Sequence, residues 1–238
     1  MKDLQPQYRG ATVANGRFGT AGAASPAHKV LRNTYLLLSM TLLFSAAMAG
    51  VSMAIGAPYG LSLICSFAAM GLLWFVVPRT ANSESGIYVV FAVTGLLGFG
   101  LGPILNAYIN HLANGTQVVV MALGLTGTIF LGLSAYAVKS KKDFSFMRGF
   151  LVGGILLAFA LSIGVLIASL FGVQLQPLAL AVSAMFALLM CGMILYQTGE
   201  IVNGGETNYV LATVTLYVSI YNLFTSLLHI LGFASNDD

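Results

Sequence analysis

The chain has 238 residues, 58% of them hydrophobic and only 7% charged. A soluble domain carries about 25% charged residues, so this composition excludes a water-soluble globule and leaves room for one membrane domain and no second folded one. The net charge of +3 comes from short basic clusters between apolar runs, which is no footprint for nucleic acid.

Residues 1–28 are polar, rich in Gly and Ala, and lack the apolar core of a signal peptide. They read as a disordered cytoplasmic tail, with 29–238 as the transmembrane domain. Seven apolar runs follow, at 33–55, 60–77, 87–109, 117–138, 146–171, 178–197 and 209–233. A helix needs about 20 apolar residues to cross the hydrocarbon layer. Six runs meet that length, and the second is the shortest. The runs are continuous and about twice the length of a barrel strand, which argues against a β-barrel. The expected fold is therefore all-α, a seven-transmembrane-helix bundle. Turn chemistry punctuates it: Gly56 to Tyr59 after span one, Pro78 after span two, Asn114-Gly115 after span three, Pro177 opening span six, and Asn203-Gly204-Gly205 before span seven.

All ten Lys and Arg lie before span one, after span two or around the connection after span four. The positive-inside rule then places the N-terminus and the even-numbered connections in the cytoplasm and the C-terminus in the periplasm.

Small residues recur at helical spacing. Gly98 and Gly102 form one GxxxG and Gly149 and Gly153 another, while Ala160, Gly164, Ala168 and Gly172 continue a stripe down span five. Such stripes allow close approach of helices, and internal seams are expected ahead of a homodimer contact. Gly102-Pro103 inside span three removes a backbone hydrogen bond and predicts a kink, either for packing or to line a cavity.

Ionisable groups inside a bilayer are costly and mark function. No Asp, Glu, Lys or Arg falls well inside a span. Glu84, Glu200 and Glu206 lie in or beside connections, and His28, His111 and His229 are far apart. There is no HExxH, no paired aspartates and no Ser/His pair beyond Ser226 with His229, which reads as packing. Cys65 and Cys191 lie within apolar runs and read as packing residues. Nothing implies catalysis, a cofactor or a particular metal. The uncharged polar set is richer. Asn106 follows the kink, Gln197 ends span six, and Ser219, Tyr221 and Asn222 crowd span seven. They read as interhelical glue or, with Glu200 and Glu206, as a polar cavity or gate between spans three, six and seven.

Five short segments carry a family resemblance. They are Gly102-Pro103-Ile104-Leu105-Asn106, the stretch from Asn203 to Tyr209, Leu216-Tyr217-Val218-Ser219-Ile220-Tyr221-Asn222, the opening His28-Lys29-Val30-Leu31-Arg32, and the closing Leu231-Gly232-Phe233-Ala234-Ser235. Together they resemble the Bax inhibitor-1 family, and its bacterial YccA-like branch most closely, over nearly all residues after 27. The resemblance implies six helices wrapped around a central seventh and a cytoplasmic N-terminus. It implies an inner-membrane regulator, with no enzymatic activity, that occupies the FtsH protease as a poor substrate, with the tail as the protease's grip. Other members leak Ca2+ through a gate of two aspartates on spans six and seven. The matching positions here are Gln197 and Ser219, neither of which ionises, so a proton-broken latch cannot operate at this pair. The alternative implied is a pH-insensitive or weakly gated calcium or cation leak.

Overall fold

The computed structural model describes residues 26–235. Seven helices in it are long and apolar enough to cross a membrane: α1 Pro26–Ala54, α2 Tyr59–Thr80, α3 Ser85–His111, α4 Gly115–Ser140, α5 Ser145–Leu170, α6 Gln176–Asn203 and α7 Tyr209–Ala234. Among the described residues there is no strand. The all-α seven-span bundle expected from the apolar runs is the observed fold, whereas residues 1–25 of the expected tail lie outside the described residues.

Several helices outrun their apolar cores. α1 begins at Pro26, so His28, Lys29 and Arg32 extend the helix rather than precede it. Their long side chains can reach the headgroup region from there. α2 passes through a π turn at Leu72–Val76, where Val77 N–H donates to Leu72 O, and continues past Pro78 to Thr80. Pro78 has no N–H to offer the preceding turn, and a widened turn accommodates it without ending the helix. The short second run thereby reaches spanning length. α6 runs on to Asn203 and stops in a Schellman arrangement. Gly204 takes φ +79°, its N–H donates to Ile201 O at 3.3 Å, and Gly205 N–H donates to Glu200 O at 2.8 Å.

The core lies along α7. Thirteen of its residues are buried, from Val210 to Gly232. It packs against α1, α3, α4 and α6. The remaining two helices stand outside: α2 rests on α3, and α5 on α6. The central seventh helix is thus enclosed by four neighbours rather than six. Each of these outer helices presents mostly apolar side chains outward, among them Ile64, Phe67, Leu156 and Leu157.

The most extensive contact is α1 on α3. A buried α1 face of Thr41, Ser45, Ala49 and Ser52 meets α3 glycines. A Cβ on Gly98 would collide with the backbone oxygen of Ser45, and one on Gly102 would come within 2.5 Å of Ser52 Cβ. Gly100, on another side of α3, lets Ser62 and Cys65 of α2 approach. The first GxxxG is therefore an internal seam. The second is not. Gly149, Gly153 and Gly164 of α5 have nothing within 4 Å of where a Cβ would stand, and with Ala160 they are exposed.

Candidate functional site

Three connections meet at the end of the bundle that carries the basic residues, and the Asn203–Asn208 segment ties them together. Asn208 caps α7, its Oδ1 accepting from Val210 N at 2.8 Å and Leu211 N at 3.1 Å. Its Nδ2 donates to Ala81 O at 3.0 Å and Asn82 Oδ1 at 2.8 Å across in the α2–α3 connection. Asn203 Nδ2 reaches Lys142 O in the α4–α5 connection at 3.0 Å. Phe144, buried beside Lys142, packs where Gly199 leaves room, since a Cβ there would stand 2.7 Å from its ring. Glu206 Oε1 accepts from Asn208 N at 2.7 Å. Asp143 Oδ1 accepts from Ser145 N at 2.8 Å, and that N–H bond holds its carboxyl below the usual carboxylate range.

Deeper in, α7 is pinned to two neighbours by one hydroxyl. Tyr217 is almost fully buried. Its O–H faces Thr94 O at 3.3 Å and Ser45 Oγ at 2.6 Å. A carbonyl can only accept, so Tyr217 donates to Thr94 and receives from Ser45. One side chain thus joins α7, α3 and α1. Thr213 adds a second α7–α1 link, its Oγ1 reaching Tyr209 O at 2.7 Å and Thr34 O at 3.3 Å.

The polar residues singled out in the sequence lie at several places. Asn106 is at the opposite end, where its Nδ2 donates to Met53 O at 3.2 Å near the close of α1. With Pro103 it lines a 420 Å³ hollow under the α1–α2 connection. α3 runs unbroken through Gly102 and Pro103 from Ser85 to His111. Gln197 and Ser219 are both buried, on α6 and α7. Ser219 Oγ donates to Thr215 O of its own helix at 2.8 Å. Asn222 Nδ2 does likewise to Val218 O at 2.8 Å, and it lines a 320 Å³ crevice between α5, α6 and α7 with Ser162, Ser183 and His229. Tyr221 stacks on Tyr217 at 6.3 Å and lines a 490 Å³ apolar groove between α1 and α4. Glu200 and Glu206 belong to the connection described above. The structure brings together Gln197, Glu200 and Glu206 at the basic end of α6 and the turn beyond it, and keeps Asn106 and Tyr221 away from them.

His229 pairs across helices with Ser183 of α6, Nδ1 to Oγ at 2.7 Å, rather than with Ser226 of its own. Sequence reasoning missed Ser183 because nothing local distinguishes it. It missed the role of Asn208 too, although an Asn directly before an apolar run is a helix-start signal. Among the described residues no group of three or more His, Cys, Asp or Glu could hold a metal ion.

An all-α bundle with a central helix, sealed seams and no carboxylate at mid-depth defines a polytopic membrane protein of the Bax-inhibitor type. Residues 27–236 match the family model described as "Inhibitor of apoptosis-promoting Bax1", and the chain belongs to this Bax inhibitor-1 family. It is 50% identical over 210 residues to the Escherichia coli K12 protein named "Modulator of FtsH protease YccA", covering 88% of this chain and 92% of that one. A Vibrio cholerae protein named "Uncharacterized membrane protein" is 49% identical over 213 residues, covering 89% and 92% of the two chains. Mouse "Protein lifeguard 4" is 26% identical over 246 residues, covering 98% and 97%.

Proposed function

We propose that this chain is a non-enzymatic inner-membrane modulator of an FtsH-type membrane protease. The observation that carries the reading is half identity, across 92% of its length, to a protein named for that role. The proposed mechanism is occupancy. The protease engages residues 1–25, upstream of α1, and pulls on a bundle that resists extraction. While it is held, other membrane substrates wait. For this the basic end must face the cytoplasm, and the Lys and Arg distribution supports that orientation.

Two features favour resistance. α1, the first helix a processive protease would draw on, has the most extensive contact in the bundle, and its partner is α3. It is also tied to α7 through Ser45 and Thr34. Unthreading α1 therefore breaks the centre of the fold rather than peeling off an edge.

The test is co-reconstitution of the full chain with an FtsH-type protease and a labelled membrane substrate in proteoliposomes. The substrate's half-life should lengthen as the chain is added. Deleting residues 2–25 should remove both that effect and the chain's own slow turnover. A substrate half-life indifferent to the chain would refute the reading.

A further inference from the structure

The basic end of the bundle is unevenly charged. Seven Lys and Arg occur among the described residues, and four of them, Lys139, Lys141, Lys142 and Arg148, fall within ten residues around the elbow between α4 and α5. All four are exposed. Asp143 is the elbow's one acid, exposed like the lysines and accepting from Ser145 N. Arg148, Asp143, Glu200 and Glu206 all lie within electrostatic reach of Tyr196. Among the described residues no ion pair engages the three lysines.

The surroundings of these lysines are those of a bilayer interface. Phe146 and Phe150, at the start of α5, are 80% and 73% exposed. Tyr136, one turn before Lys139, is also exposed and leans on Phe144 at 6.3 Å. A tyrosine ring of this kind lies at headgroup depth, and exposed phenylalanines beside it face the hydrocarbon. α4 and α5 each pack on α6 but make at most marginal contact with each other, so they are not sealed together below the elbow.

We propose that the α4–α5 elbow binds an anionic phospholipid, with Lys139, Lys141 and Lys142 on its headgroup phosphate and its acyl chains between α4 and α5. Charge selects this occupant over a zwitterionic lipid. A basic residue near an anionic headgroup strengthens attraction severalfold, and three act on one phosphate here. The end of α2 provides an internal contrast. Trp74 and Phe75 are also exposed, at 66% and 61%, yet a single Arg79 accompanies them. That end has the aromatic anchor without the charge cluster. The inference does not depend on the protease reading.

The experiment uses the purified full-length protein in neutral detergent, with phosphatidylglycerol or phosphatidylcholine added. Bound lipid is counted by native mass spectrometry and stability is read by thermal unfolding. Phosphatidylglycerol should bind preferentially and raise the melting temperature. The Lys139→Gln/Lys141→Gln/Lys142→Gln variant should bind it more weakly by a factor on the order of a hundred, with phosphatidylcholine binding unchanged. Arg32→Gln/Arg79→Gln, at the same end, should bind like wild type. Should the triple variant not fold, Lys141→Gln/Lys142→Gln alters only the connection and should lose most of the preference. Wild-type binding should also collapse at about 1 M salt. Equal binding of the two lipids overturns the proposal, as does an elbow variant that keeps the preference. Equal loss in the Arg32/Arg79 variant overturns it too, because the attraction would then be a diffuse field.

Discussion

α3 and α5 carry the same small-xxx-small signature and use it in opposite ways. On α3, Gly98 and Gly102 are the contact itself: Ser45 and Ser52 of α1 occupy the space where side chains would stand. On α5, Gly149 and Gly153 face outward with nothing near them. The motif therefore marks a helix surface able to accept a close neighbour, and whether one arrives depends on position in the bundle. α3 lies among α1, α2, α4 and α7, whereas α5 leans on α6 alone.

Substitutions can break this contrast. Gly98→Ala should have the largest effect, since its methyl meets backbone rather than a yielding side-chain tip. Overpacking of this kind costs about 3 kcal/mol, which unfolding in mixed micelles would register. Asn208→Ala should follow, at about 1–2 kcal/mol for a lost helix cap. It also releases the α2–α3 connection, so amide exchange should quicken at Val210 and Leu211. Tyr217→Phe comes next, at about 1 kcal/mol for a hydrogen bond between membrane helices, with Ser45 and Thr94 losing their shared partner. Gly149→Ala should fall within about 0.5 kcal/mol of wild type. A large cost there would mean that α5 has a close neighbour after all, and the contrast would fail.

The smallest effect concerns pH. The Asp143 carboxyl is held low by Ser145 N–H, so its contribution is present above the ordinary aspartate pKa of about 3.9 and disappears as pH falls through its lowered value. The protection factor of the Ser145 amide, its exchange relative to the intrinsic rate at each pH, should fall on acidification, and in Asp143→Asn it should no longer change with pH.

The spans were legible because long uncharged stretches leave a chain few alternatives to crossing lipid. Their ends were less so. Hydropathy marks where hydrocarbon stops, while α1 and α6 continue as helices into the polar layer, to Pro26 and Asn203. The π turn before Pro78 was not legible either, because proline reads locally as a stop. For the polar residues, the sequence names them but not the direction in which each faces. Ser219 and Asn222 close hydrogen bonds on their own helix, and Asn106 turns to α1. The ties that cross the bundle, Tyr217 with Ser45 and His229 with Ser183, join residues 172 and 46 apart in the chain. No local pattern encodes such pairs. The Schellman stop at Gly204 was readable, because Asn-Gly-Gly specifies a left-handed backbone locally.

Turnover of Gly98→Ala and Gly149→Ala, measured side by side by pulse-chase in cells with and without active FtsH, tests most directly the proposal that bundle tightness makes this chain a poor substrate. Gly98→Ala should be degraded severalfold faster than wild type, only with active FtsH and only when residues 2–25 are present, while Gly149→Ala should decay like wild type. Equal decay of all three chains would contradict it.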